Sequence, residues 1–330
     1  MNGGDLRDLS KKIITKVVPF AGSTLNNDKV IEFIREQYYS NNDDHIIGEG
    51  GSGKVYKYTD GNKTDDNKCV KVSMVDVFQR EYQDNEIKIM KTIMKKSPSK
   101  VKTVKLFHHL YEPYKKDPDV SLCFIIMERI HGFSILDVIK FTTTPLKDRV
   151  DIAVSLFDSL QMLHSIGISH NDLTTSNIIV CPVNGKNISV IIDFGEARFI
   201  EENGMFDTTL TRPMGNSGDY AIGSSNDYPG DLYSFCLIML LLFLTNNADT
   251  NYVTIIQPLI GLNEEEITQK LQQILQQKEL EWVDKNAQPI ITKLISKICS
   301  KDLSITLDEL NTFMVGTLEP ILTELNSLVS

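Results

Sequence analysis

Cysteine and tryptophan are scarce in this chain, which carries five cysteines and one tryptophan among 330 residues. The number of cysteines is odd, and most of them stand within apolar runs. Disulfide frameworks and zinc sites need paired or regularly spaced cysteines, so we expect buried thiols in a reducing compartment. A cytoplasmic location follows, with the nucleus as the other option. The cysteines are Cys69, Cys123, Cys181, Cys236 and Cys299.

An excess of basic residues is also lacking, since the net charge is −10 and the isoelectric point is near 5.2. General nucleic-acid binding is therefore disfavoured, because it relies on Lys and Arg to displace counterions from phosphates. Lysines are concentrated locally, and we interpret that stretch as a solvated loop, with an acidic partner or a lipid headgroup as the alternative. The stretch contains Lys91, Lys95, Lys96, Lys100, Lys102 and Lys105.

Long hydrophobic runs are missing as well. The longest, residues 235–244, is about half of the ~20 residues that a membrane span requires, so we expect no transmembrane segment. The N-terminus shows no charged-then-apolar signal pattern, which also favours a soluble protein. The run is better explained as a central buried helix that begins near Asp231, and the Asp231 side chain would hold the backbone of a nearby loop.

The most informative segment runs from Ser169 to Asn177 and reads SHNDLTTSN, and the letters DFG follow at residues 193–195. Phosphoryl transfer needs a carboxylate that relieves the attacking hydroxyl of its proton, and hard oxygen ligands that hold Mg²⁺ on ATP. Asp172 can supply the first function, and Asn177 and Asp193 can supply the second. The spacing therefore predicts a site for ATP and Mg²⁺.

A glycine-rich stretch lies upstream, and it fits G-x-G-x-x-G-x-V at Gly48, Gly50, Gly53 and Val55. Glycines at these positions let backbone amides approach a phosphate without a side-chain clash. The letters also fit the start of a Walker loop, but Val55 stands where that loop needs a hydroxyl, and a strand-like stretch follows. Without the downstream motifs, a plain glycine turn in a hairpin would be the better interpretation.

These motifs occur in the order found in the protein kinase superfamily, which the chain resembles over roughly residues 44–313. The resemblance implies an α+β, bilobal protein-kinase-like fold, with a small β-rich N-lobe that has one key helix and a large, mainly helical C-lobe. We expect an N-terminal helical extension over residues 1–43, the N-lobe and hinge over 44–131 and the C-lobe over 132–330. The catalytic loop is also locally similar to that of the small atypical kinases that serve the tRNA threonylcarbamoyl-modification complex.

The same resemblance assigns roles to residues of the N-lobe. Lys71, in the run CVKV, would hold the α and β phosphates of ATP, although a lysine in an alternating strand can also be a solvated edge residue. Glu86 is its expected partner, because the apolar helix face that follows Glu86 would turn it inward, whereas Glu81 lies on a different face. Solvent exposure of either glutamate is the alternative.

The resemblance also assigns the adenine site and the catalytic loop. Met127 would be the gatekeeper residue, and the backbone of Glu128 and Ile130 would bond to adenine. A buried Met can equally be core filler. His170 is implied to be an internal hydrogen-bonding residue, while Asp172 is the base.

Several positions depart from the family pattern. Asn171 replaces the Arg that usually binds a phosphorylated activation segment, so we expect activity without such phosphorylation. Thr174 stands where Ser/Thr kinases generally carry a Lys that neutralises the transferred phosphate. The Ala-Pro-Glu motif is missing near Asp219, and Ser304 replaces the Arg that would pair with its Glu. Both partners of that buried ion pair are thus absent together, and such a double loss can leave the stability of the fold nearly unchanged.

Hydrophobic spacing predicts the elements that carry these residues. A hairpin is expected from strands at 178–180 and 189–192, joined by a turn at Asn184-Gly185. The predicted helices cover residues 28–39, 78–94, 150–164, 235–244, 267–275 and 291–298.

The leading functional hypothesis is an ATP-dependent protein kinase that transfers the γ-phosphate to a Ser or Thr hydroxyl of a protein substrate. A small-molecule or lipid phosphotransferase of the same fold is the first alternative, favoured by Thr174 and by the missing Ala-Pro-Glu motif. A nucleotide-binding scaffold without catalysis is the second.

Overall fold

The computed structural model describes residues 25–51, 53–96, 103–140, 144–200, 228–245, 253–301 and 306–329. Contacts divide them into two compact units. The N-terminal unit contains the described residues up to 96 and Val104–His131, and the C-terminal unit contains Thr103 and the described residues from Gly132 onward. Asp219 and Ser304, for which the sequence raised expectations, lie outside the described residues.

An antiparallel five-stranded sheet forms the body of the N-terminal unit. Its strands are β1 (Ile46–Gly50), β2 (Gly53–Thr59), β3 (Thr64–Val75), β4 (Leu106–Pro113) and β5 (Ser121–Glu128). They lie in the order β1-β2-β3-β5-β4. In β5 the side chains from Leu122 to Ile126 are all buried. Such a continuous apolar run is typical of a strand that is covered on both faces.

Helix α1 (Asn27–Ser40) packs on this sheet, which confirms the helix predicted over residues 28–39. The Asn26 side chain caps its first turn by accepting a hydrogen bond from the backbone N–H of Asp28. Its apolar face joins the core of the sheet through Val30, Ile31 and Ile34, which contribute to one cluster with residues of β2, β3 and β5. The helix is therefore an integral part of the N-terminal unit.

Helix α2 (Val77–Lys96) follows β3 and confirms the helix predicted over residues 78–94. The prediction of a loop across the lysine-rich stretch is wrong at its start, because Lys91, Lys95 and Lys96 belong to this helix. The apolar spacing continues through Ile93, so the helix extends, and its lysines occupy the exposed face. Lys100 and Lys102 lie outside the described residues.

The C-terminal unit is mainly helical. Its helices are α3 (Ile135–Lys140), α4 (Leu146–Ser165), α5 (Tyr228–Phe243), α6 (Val253–Ile256), α7 (Glu264–Gln277), α8 (Ala287–Cys299), α9 (Leu307–Phe313) and α10 (Glu319–Ser327). A 3₁₀ turn, Gln257–Leu259, follows α6, and a π-helical turn, Met314–Leu318, joins α9 to α10. The predicted amphipathic helices at 150–164, 267–275 and 291–298 are all confirmed.

Helix α5 is the centre of this unit, and its side chains from Asp231 to Phe243 are all buried. Each fully buried Leu, Ile or Phe contributes roughly 1.5 to 3 kcal/mol, so the helix anchors its neighbours. Helix α4 packs against it, with the rings of Phe157 and Phe235 5.8 Å apart. The prediction of a central buried helix is confirmed. Among the described residues, every helix is too short or too polar to span a bilayer.

Short strands complete the C-terminal unit and position its loops. They are β6 (Phe133–Ser134), β7 (Ile168–Ser169), β8 (Ile178–Val183), β9 (Lys186–Ile191) and β10 (Arg198–Phe199). Strands β8 and β9 form the predicted hairpin, with Asn184 at φ 51° and Gly185 at φ 77° in its turn. Positive φ at both positions is what a tight two-residue hairpin turn requires, which explains the Asn-Gly sequence.

All five cysteines are buried and none of them forms a disulfide, as the sequence predicted. Burial raises the pKa of the Cys69 and Cys123 thiols to about 12, so both are unreactive thiols at neutral pH.

Candidate active site

The N-terminal unit contains a buried ion pair between Lys71 on β3 and Glu86 on α2. Lys71 Nζ lies 2.9 Å from Glu86 Oε1 and 3.2 Å from Oε2, and the two side chains are 5% and 6% exposed. Gln83, one helical turn earlier, donates from Nε2 to Glu86 Oε2 at 2.6 Å. Glu81 is exposed, in keeping with its different helix face.

The register of the sheet places the glycine-rich stretch beside Lys71. Lys71 pairs with Val55, and Val55 pairs in turn with Gly48. Gly53 has φ 135°, and a Cβ at that position would overlap the backbone carbonyl of Val72. At Gly50 a Cβ would meet no described atom within 4 Å. Gly53 is therefore required by the backbone itself, whereas Gly50 borders open space that a ligand can enter.

The predicted adenine-binding residues lie at and after the end of β5. Met127 is half-buried and pairs with Cys69 on β3 and with Leu106 on β4. The backbone N–H of Glu128 donates to the carbonyl of Lys105 at 2.8 Å, so it is used within the protein. The carbonyl of Glu128 lies 3.8 Å from Cys69 Sγ and keeps a second lone pair for the predicted contact with adenine.

In the C-terminal unit, the loop after β7 brings Asp172 and Asn177 together. Asn177 Nδ2 donates to Asp172 Oδ2 at 2.8 Å and to the Asp172 carbonyl at 3.0 Å. The backbone N–H of Ile192 donates to the Asn177 carbonyl at 2.9 Å, which ties the loop to the residue before Asp193. Asp193 itself has φ 59°, a left-handed conformation that is unusual for a residue other than glycine and is concentrated at functional sites.

A buried carboxylate, Asp231 of α5, holds the backbone of this loop. Its oxygens accept hydrogen bonds from the backbone N–H groups of His170 and Asn171, both at 2.8 Å, and from the Ser169 hydroxyl at 2.9 Å. His164 Nε2 lies 2.9 Å from Asp231 Oδ2. The predicted structural role of Asp231 is confirmed by these contacts.

The surroundings of Asp231 stabilise the charged form of its carboxyl group. Burial alone would raise the pKa of its carboxyl, but the hydrogen bond and charge of His164, the charge of His170 and the His170 backbone N–H together lower the pKa below its ordinary value. The carboxylate is therefore ionised at neutral pH, and it is a strong acceptor for the loop backbone.

Both histidines of this region are internal, as predicted. His170 Nε2 lies 3.1 Å from the carbonyl of Ile192. The centroids of the His170 and Phe194 rings are 5.3 Å apart, and the two rings meet edge to face. His164 is fully buried, with Nδ1 3.4 Å from Met314 Sδ. They hold the loop in position and are not oriented as acids or bases.

The two departures from the family pattern in this loop have defined surroundings. Asn171 has φ 60°, and its Nδ2 donates to the Glu196 carbonyl at 3.3 Å. Thr174 is 4% exposed, and its hydroxyl lies 2.8 Å from that of Ser176. A buried hydroxyl therefore stands where the family pattern usually has a flexible cation.

Three contributing residues escaped the sequence analysis. Gln83 supports Glu86, Ser169 contacts Asp231, and Met314 contacts His164. Helical spacing could have found Gln83, which lies three residues before Glu86 on the same face. Nothing local marks the contact between His164 and Met314, which are 150 residues apart.

Comparison with known proteins agrees with this geometry. The model of the protein kinase domain family matches residues 41–309. A dual specificity protein kinase of Schizosaccharomyces pombe is 24% identical over 241 residues, covering 66% of this chain and 33% of the relative. A probable serine/threonine-protein kinase of Dictyostelium discoideum is 28% identical over 216 residues, covering 63% and 48%. A probable serine/threonine-protein kinase of Corynebacterium glutamicum is 26% identical over 215 residues, covering 59% and 30%.

The matched part of this chain thus spans about a third to a half of the length of these relatives. The family model covers more than half of the chain, and the N-terminal sheet with its helix α2 and the helical C-terminal unit are the N-lobe and C-lobe of that family. The chain belongs to the protein kinase domain family.

Proposed function

We propose that this chain is an ATP- and Mg²⁺-dependent protein kinase that transfers the γ-phosphate to a Ser or Thr hydroxyl of a protein substrate. The observation that carries the proposal is the contact between Asn177 Nδ2 and the Asp172 carboxylate. This contact supports the proposal because the candidate base and a candidate metal ligand then lie side by side in one loop. The names of the relatives, which are serine/threonine and dual specificity protein kinases, support the acceptor class.

The donor set fits magnesium. Because Nδ2 of Asn177 is directed at Asp172, its Oδ1 is the atom that can ligate a cation. The carboxylate of Asp193 is the second ligand, and oxygen ligands of this kind suit Mg²⁺ on a nucleotide phosphate. When bound, Mg²⁺ would neutralise charge on the phosphate oxygens.

The remaining roles follow from the described side chains. Asp172 accepts the proton of the substrate hydroxyl and orients it for attack. Lys71, held by Glu86, provides a fixed cation for the α and β phosphates, and the backbone amides of the stretch from Gly48 to Gly53 bind phosphate oxygens. With Thr174 in place of the usual Lys, Lys71 and the metal carry more of the charge stabilisation.

We further propose that the protein is active without phosphorylation of its activation segment. Asn171 is neutral, so it has no charge to pair with an added phosphate. For the division of the chain, residues 44–131 are proposed as the N-lobe and hinge, 132–330 as the C-lobe and 1–43 as an extension. The buried free thiols fit the proposed cytoplasmic location.

A small-molecule or lipid phosphotransferase is the second candidate, and the burial of Thr174 is the observation that favours it. A transfer assay that offers radiolabelled ATP with a peptide library, or with alcohols and lipids, separates the two. We expect Mg²⁺-dependent label on Ser or Thr peptides. Label on a metabolite alone would favour the second candidate. Nucleotide binding without transfer to any acceptor would indicate a nucleotide-binding scaffold without catalysis.

A further inference from the structure

The backbone at Asn171 adopts a conformation that few residue types tolerate. Its φ of 60° lies in the left-handed region, where a side chain usually crowds the following carbonyl and where Asn is among the residues accepted. The Asn171 N–H donates to Asp231 Oδ1 at 2.8 Å, which fixes the peptide in this orientation. An asparagine is therefore suited to the backbone before any role of its side chain is considered.

The side chain of Asn171 connects two parts of the C-terminal unit. Its Oδ1 lies 3.0 Å from the hydroxyl of Ser169, which can donate to it or to Asp231 Oδ2. Its Nδ2 donates at 3.3 Å to the carbonyl of Glu196, which directly follows the Asp193-Phe194-Gly195 motif.

Chemistry settles the orientation of this amide. If it were flipped, Oδ1 of Asn171 would face the Glu196 carbonyl, and lone pairs would meet lone pairs. In the orientation observed, a hydroxyl donor faces Oδ1, and a carbonyl acceptor faces Nδ2. The contact with the Glu196 carbonyl therefore determines the orientation of the amide, and Asn171 Oδ1 receives the single Ser169 hydrogen only when Ser169 does not donate it to Asp231.

We propose that Asn171 is a positioning residue that joins the catalytic loop to the segment after Asp193 without the help of an added phosphate. An Arg at this position would need an anion to complete its contacts, whereas the neutral amide bonds directly to a backbone carbonyl. The proposal rests on the proposed kinase function and gives a structural reason for activity in the unphosphorylated state. Asn171 acts through Asp172 and Asp193, which it helps to orient.

The decisive variants are Asn171→Gly and Asn171→Asp. Glycine keeps the left-handed backbone and removes the side chain, while Asp keeps the size but replaces the donor to Glu196 by an acceptor and adds a negative charge near Asp231. Asn184→Gly is the matched control, because Asn184 also has a positive φ of 51°, lies in the same unit and is exposed in a hairpin turn.

Kinetics are measured on protein shown by mass spectrometry to be unphosphorylated. Loss of one neutral hydrogen bond should lower kcat about 3- to 10-fold in Asn171→Gly, and Asn171→Asp, which adds repulsion, should lose at least as much, with KM for ATP unchanged in both. Asn184→Gly should match the wild type in both constants. Wild-type kcat in either Asn171 variant, or an equal loss of kcat in the control, would overturn the proposal.

A second measurement does not need activity. The backbone N–H of Ala197 donates to the Phe194 carbonyl in a turn around Glu196, so its hydrogen exchange reports on how firmly that turn is held. Exchange at residues 194–198 should be faster in both Asn171 variants and unchanged in Asn184→Gly. Unchanged exchange in the Asn171 variants would refute the positioning role even if kcat fell. A wild type that exchanges as expected but transfers no phosphate would refute the kinase function alone.

Discussion

The side-chain amide of Asn177 donates both of its hydrogens to Asp172, one to carboxylate Oδ2 at 2.8 Å and one to the backbone carbonyl at 3.0 Å. This double contact fixes the direction of the Asn177 amide and of the Asp172 carboxylate together. The loop that carries them is held by the buried Asp231, so the geometry of the site depends on a carboxylate that need not touch any substrate.

The first prediction concerns the buried pair of Lys71 and Glu86. Replacing either partner alone, as Lys71→Met or Glu86→Met, leaves the other charge buried without its counterion. The free energy of unfolding should then fall by about 3 to 5 kcal/mol. The double variant leaves no such charge, so its loss should be smaller than the sum of the single losses. Urea unfolding measures all three.

An exposed ion pair provides the control for this experiment. Lys293 and Glu324 lie 3.3 Å apart and are each 52% exposed, so replacing either by Met should change the unfolding free energy by no more than about 1 kcal/mol. Additive losses at Lys71 and Glu86, or losses as small as those of the exposed pair, would contradict the interpretation.

The second prediction concerns pH and Asp231. The pKa of this carboxyl is lower in the folded chain than its ordinary value of 3.8, so its charge stabilises the fold above that value. The contribution is lost as the pH falls through the lower, folded pKa. The unfolding free energy of the wild type should therefore approach that of Asp231→Asn once the pH falls below about 4.

Denaturation curves between neutral and acidic pH test this convergence. The exposed Asp308, replaced by Asn, is the control and should give a curve parallel to the wild type. A constant difference between the wild type and Asp231→Asn down to acidic pH would show that the carboxylate of Asp231 is not specially stabilised.

Much of this architecture could be predicted from local sequence. The Asn184-Gly185 turn and the apolar spacing of the helices are short-range signals, and the structure reproduces them. The choice of Glu86 over Glu81 depended on helical periodicity, which is also local. The loop predicted for Lys95 and Lys96 is wrong because the helix predicted to end at residue 94 continues through both, and lysines on an exposed helix face do not end a helix.

Other features needed the folded chain. The sequence predicted that Asp231 would hold a loop backbone, but it did not identify the Ser169 hydroxyl as a partner of Asp231, 62 positions away, or Met314 as a partner of His164, 150 positions away. The burial of Thr174 could not be deduced from a hydroxyl side chain, which is common both inside and outside proteins. These features depend on contacts between residues far apart in the chain, which local sequence patterns do not reveal.

The third prediction concerns helix α1, which precedes the part of the chain matched by the family model. Ile34 is fully buried against the sheet, so Ile34→Ala should lower the unfolding free energy by about 2 to 5 kcal/mol. Glu36→Ala, on the exposed side of the same helix, should change it by about 0.5 kcal/mol or less. Equal stability of the two variants would mean that the helix is not part of the N-terminal core.

The fourth prediction separates two glycines. Gly53→Ala should destabilise the fold by about 1 to 3 kcal/mol, because φ is 135° and the new Cβ would overlap the Val72 carbonyl. Gly50→Ala should leave stability near that of the wild type but weaken ATP binding, because its Cβ would enter the space left for phosphate. Thermal unfolding and nucleotide titration on both variants check this, and the reverse pattern would contradict the assignment.

The central claim is tested most directly by single-turnover phosphate transfer in Asp172→Asn, with nucleotide binding measured on the same sample. Loss of the base should slow transfer by about 10² to 10⁴-fold while the affinity for ATP stays near that of the wild type. Asp308→Asn serves again as the exposed control and should transfer at the wild-type rate. Transfer by Asp172→Asn at the wild-type rate would contradict the account.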